Sequence, residues 1–168
     1  AYDDFTVGDA AVNITTSAGD ITIDAQGDDT DIIFKGTDGG ADTTFLTIDG
    51  SAGGQATFNA SVIAKTDTDT SNTGNVTLDF TANQNFVLTL TGNTTLVNPS
   101  TETVGQSGFI AFIQDGTGGR TVTLGTDYET AAGAGLSLTS TASATDLVPY
   151  VVVAANRILL GTPQLAFS

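Results

Sequence analysis

The chain has 168 residues, of which 19 are acidic and 4 basic, giving a formal net charge of −15, and it has no His, Cys, Met or Trp. No basic patch exists to displace counterions from phosphate, which argues against nucleic acid as a partner, and anionic membranes are disfavoured on the same ground. Without Cys or His there are no disulfide staples, thiolate zinc sites, cysteine nucleophiles or near-neutral bases.

Taken in chain order, AYDDFTVGDA (1–10) carries neither the basic nor the apolar region of a signal peptide. It has no initiator Met, so the sequence is expected to be a piece of a longer chain. Gly, Thr, Asn and Asp interrupt the sequence every few residues, which opposes helix propagation and favours turns. Period-two alternation is the recurring pattern and predicts an all-β protein. In ITID (21–24), Ile21 and Ile23 share one face while Thr22 and Asp24 share the other. ITIDA (21–25) recurs as LTIDG (46–50), 25 residues on, and each copy leads into a further strand pattern, DIIF (31–34) or ATF (56–58). Two copies at that period predict a repetitive β stalk over residues 1–65.

That stalk is poor in core-forming residues. A domain of this size buries only ~60% of its unfolded surface, against roughly 1–2 kcal/mol of backbone entropy per ordered residue. Sharing the strands among several chains around one axis supplies the missing core, so a homotrimer is expected. The polar KTDTDTSNTG (65–74) reads as a turn-rich break, with the linker placed at 66–74.

The remainder, residues 75–168, alternates more richly. Val76, Leu78 and Phe80 face one way in NVTLDF (75–80), as do Phe86, Leu88 and Leu90 in FVLTL (86–90). Turns with suitable chemistry follow at TGN (91–93), DGTGG (115–119) and AAGAG (131–135). One-sided burial belongs to antiparallel sheets, so the expected fold is an antiparallel β-sandwich of jelly-roll type. The longest apolar run, VPYVVVAA (148–155), is too short to span a bilayer, and no membrane insertion is expected.

Candidate sites are few. GDDTD (27–31) and GTDGGAD (36–42) invite calcium, but they lack both the β-roll nonapeptide and the EF-hand spacing and read as solvated turns. Asp127 and Glu129 are two residues apart in an expected loop, with no aromatic-lined cleft for glycoside hydrolysis, so no catalytic residue is assigned. Arg120 and Arg157 are each expected to pair a carboxylate at a strand edge. No cofactor and no metal are expected.

The order LDF, LTLTGNTTL, NP, GFIAFIQDGTGGRTVTL, a Leu-x-Leu-Thr strand, and an acidic residue ahead of YVVV resembles the C-terminal module of phage tail fibres and related virion proteins, over residues 75–168. The resemblance implies a non-enzymatic virion structural fibre, exposed on the particle, trimeric, joined to other virion proteins on its N-terminal side, with the tip meeting a host surface glycan or receptor. A capsid-decorating fibre, a secreted calcium-dependent β-roll or adhesin, and a polysaccharide-cleaving enzyme are the alternatives. The loop after Leu124, GTDYETAAGAG (125–135), departs from the family pattern. It places Tyr128 beside Asp127 and Glu129, a trio able to hold a sugar.

Overall fold

The computed structural model describes residue 11 and residues 13–167. Residues 1–10, within the expected stalk, lie outside the described residues. The chain divides between Val62 and Ile63 into two compact units. No α-helix occurs among the described residues.

In the first unit, β1 (Ile32–Asp38), β2 (Ala41–Asp49) and β3 (Gln55–Phe58) form an antiparallel meander in the order β1-β2-β3. IIF of DIIF, LTID and ATF fall in these strands, as their patterns lead one to expect. The register aligns Phe34, Leu46 and Phe58 in one cross-strand row and Ile32, Ile48 and Ala56 in the next. A bulge between Phe34 and Lys35 leaves Phe45 as the extra residue on β2. Its ring lies where a side chain on Gly36 would stand, with ring carbons 2.3 Å and 2.7 Å from that position. ITID (21–24) is not a strand; the chain there runs into a turn closed by Thr30, which hydrogen-bonds to the carbonyls of Ala25 and Gly27. No described residue up to Val62 is buried.

The second unit is one curled sheet of eight strands. They are β4 (Thr66–Val76), β5 (Asn85–Leu96), β6 (Ser107–Gln114), β7 (Val122–Leu124), β8 (Tyr128–Glu129), β9 (Thr145–Ala154), β10 (Arg157–Leu160) and β11 (Gln164–Phe167). The order is β4-β5-β6-β9-β10-β8, with β7 on β5 and β11 on β9. Two expectations are corrected here. Residues 66–74 are strand, not linker: β4 pairs along nearly the whole of β5. Nor is the sheet an antiparallel sandwich, because β4, β6 and β7 all run parallel to β5, and β8 runs parallel to β10. Parallel neighbours need crossover connections, and here the crossovers help build the core. The β4–β5 connection contributes the buried Leu78 and Phe80. It is tied to the β5–β6 connection through Thr101, whose hydroxyl accepts from the Phe80 amide at 2.9 Å, and through Gln106, whose amide donates to the carbonyls of Phe80 and Asn83 at 3.0 Å.

The inner face follows the alternation read from the sequence. Phe86, Leu88 and Leu90 of β5, Ile110 and Phe112 of β6, Val148, Tyr150 and Val152 of β9, and Ile158 and Leu160 of β10 make one continuous core. Phe80 meets Phe86 and Tyr150 edge-on, with ring centroids 5.0 Å and 5.3 Å away. The Tyr150 hydroxyl donates to the Gln84 carbonyl at 2.5 Å, and burial pushes its pKa up to about 12.

Candidate functional site

A groove of about 590 Å3 in the second unit is lined by β7, the turn after it, β8 and the segment Thr130–Leu136. Its geometry begins at Asn98, past the end of β5. The Asn98 side chain donates to the Thr126 hydroxyl at 2.7 Å and accepts from the Asp127 amide at 3.1 Å. Gly125 is required there, because a Cβ on it would stand 2.2 Å from the Asn98 side-chain oxygen. The turn is closed by the Tyr128 amide donating to the Gly125 carbonyl, and it is tied to β10 by the Ile158 amide donating to the Asp127 carbonyl.

Beyond β8 the wall is a ridge of small residues. Thr130 organises it: the Gly133 amide donates to its carbonyl at 2.9 Å, and the Gly135 amide to its hydroxyl at 2.8 Å. Ala132, Gly133 and Gly135 all have positive φ. Residues 131–135 are exposed and carry at most a methyl group, so main chain is what a ligand would meet. On its other side the ridge borders a second depression of about 150 Å3, reaching Leu160 and Pro163.

The trio expected to hold a sugar is placed differently from the sequence expectation. Tyr128 is only 5% exposed and belongs to the core, and Asp127 is 9% exposed. The Tyr128 hydroxyl is enclosed without a hydrogen-bond partner, as is Glu102 Oε2. Burial first, and then the negative charges of Glu102 and Asp127, raise the Tyr128 pKa far above the usual phenol value. Tyr128 therefore supplies the floor of the groove rather than an open aromatic platform. Glu129 reaches the groove wall, but its carboxylate is held by a two-pronged pair with Arg157 at 2.8 Å and 3.1 Å, which keeps it below its usual pKa. Thr130 lies in the loop that the sequence singles out, whereas Thr123 and Leu136, which also line the groove, fall outside it and were missed.

The second arginine also pairs within the chain. Arg120 binds Asp115 at 2.8 Å, and Asp115 Oδ1 accepts from the amides of Thr117 and Gly118. The Arg120 guanidinium, more than these amides, holds the Asp115 carboxyl down at about 2. In the Asp-rich turns, Asp42 pairs with Lys35 and Asp31 accepts from the Gly50 amide. Among the described residues no three acidic side chains converge as metal ligands would.

Comparison with protein families matches residues 73–153 to the phage tail fibre C-terminal domain family. The matched stretch covers the end of β4, β5 to β8 and nearly all of β9, and so includes the groove floor and ridge. Comparison with curated proteins and with solved structures gave no match. The match supports a phage tail-fibre C-terminal module over this stretch.

Proposed function

We propose that the protein is a non-enzymatic structural fibre of the phage particle, homotrimeric, with its second unit turned toward the host. The observation that carries this reading is the tail-fibre family match over the curled sheet. Host contact is assigned to the groove and the Thr130–Leu136 ridge, in place of an exposed Tyr128. Function lives in the site rather than the fold, and the chemistry of this site favours a neutral, hydroxyl-rich ligand such as a host surface glycan. Its one charged lining residue, Glu129, is already neutralised by Arg157. What remains is Thr hydroxyls, main-chain groups of the ridge, and the short apolar surfaces of Val122, Leu124 and Leu136. Weak single-site binding suffices, because several tips on one particle raise the effective concentration.

The test fills the groove from an exposed strand position. Particles carrying Thr123→Trp should assemble normally and adsorb to host cells several-fold more slowly, since a rigid aromatic occupies the cavity. Unchanged adsorption in that variant, and in one with the ridge residues 131–135 replaced, would place recognition elsewhere.

A further inference from the structure

The three-stranded sheet of the first unit has two unlike faces, and among the described residues neither is covered. Register puts Ile32, Phe34, Leu46, Ile48 and Phe58 on one side, and the Phe45 ring joins them because it lies over Gly36, which shares the Phe34 side of β1. Lys35 and Asp42 pair on the other side, beside Ile33, Thr44 and Thr47. The nearest acidic residue on the apolar side of β1 is Asp38, at the hairpin end. Phe34, Phe45 and Phe58 remain 43%, 48% and 53% exposed. A small sheet needs a covered hydrophobic face to be stable, and this one is patterned for a cover.

We propose that the cover is the same face of further copies of this chain, so that the Phe34–Leu46–Phe58 row lies at the fibre's subunit interface. This rests on the trimeric reading above. Charge favours a second copy over a different partner. Residues 1–65 hold eleven Asp against Lys35 and Lys65, so a basic partner is drawn to the Asp-bearing turns and edges instead. Identical acidic chains repel over most of their surface and can meet only where no charge lies. Size points the same way. Strand spacing and rise make the patch on the order of 15 by 20 Å, or on the order of 300 Å2. An independent protein partner needs about 800 Å2 a side. Copies already joined along one fibre need far less at each layer, because their local concentration is high.

The test uses two neighbouring positions in the full chain. Ile33 and Phe34 are adjacent and similarly exposed, at 51% and 43%, but point to opposite faces. In Phe34→Glu, three like charges meet at the interface, and backbone amides of β1–β3 should exchange roughly ten-fold faster or more. Ile33→Glu should leave their exchange near wild type. Equal effects of the two substitutions, or none from Phe34→Glu in a chain that sedimentation shows to be oligomeric, would overturn this interface alone. A wild-type chain that sediments as a 16.9 kDa monomer would overturn the trimeric reading on which it rests.

Discussion

Single residues in this protein are held by specific partners, and the buried tyrosines titrate accordingly. Tyr128 illustrates how far neighbouring letters can mislead. Its place between two acids looks like an exposed binding motif, yet the parallel pairing of β8 with β10 turns its side chain inward beside Ile158. Truncation by Tyr128→Ala should therefore cost about 3–5 kcal/mol, the usual penalty for removing a buried aromatic. Tyr128→Phe should be near neutral, since the lost hydroxyl had no partner. Chemical denaturation of the two variants checks both. Alkaline titration offers an independent reading. The folded pKa values of Tyr128 and Tyr150 lie above the ordinary 10.0, so only the unfolded chain sheds these protons near pH 10. Stability should accordingly fall as pH rises beyond about 10, with unfolding preceding phenolate absorbance from either ring. Asp115 has the opposite sign. Its folded value near 2 lies below the ordinary 3.8, so its contribution is present above about pH 4 and is lost as pH falls toward 2. Asp115→Asn should abolish that part of the acid dependence.

At the scale of elements, alternation was legible and pairing was not. The inward sets Phe86–Leu88–Leu90 and Val148–Tyr150–Val152 could be read directly, because period two fixes which side chains share a face. Partner and direction are decided by distant residues, so the parallel stacking of β4, β5 and β6 left no local sign. The polar segment 66–74 read as a linker because β4 is an edge strand with little to bury: Asn72 is its one buried side chain, and it donates to the Asp69 and Thr89 carbonyls. Edge strands are commonly polar. The C-terminal edge is fastened by another buried polar group. Asp146, 2% exposed, accepts from the Thr139 amide at 2.5 Å and the Ala166 amide at 2.8 Å. Asp146→Ala strips two amides of their partner at roughly 1–3 kcal/mol each, and β11 should lose hydrogen-exchange protection before β9 does. Gly118 is equally confined. Its φ is +74°, and a Cβ would meet the Ser140 carbonyl oxygen at 2.4 Å. Gly118→Ala should destabilise the 115–120 turn, read as a lower melting temperature.

For the whole molecule, the two units differ in kind. The second encloses a continuous core of aromatic and branched side chains, whereas the first exposes its apolar face. This contrast was partly legible in composition: the early strands offered few large apolar groups, and arithmetic on a domain of that size already called for shared burial. The loop that walls the groove stood out in the sequence, but the groove's shape did not, since Thr126 and Asp127 are positioned by Asn98, far back in sequence. The central proposal is that this chain is a virion fibre whose second unit faces the host. Electron microscopy of intact particles, with a small tag inserted in the exposed ridge 131–135, tests it most directly. The expected image shows tags clustered at the outer ends of fibres. Tags at the fibre base, or purified particles that lack the chain altogether, would contradict it.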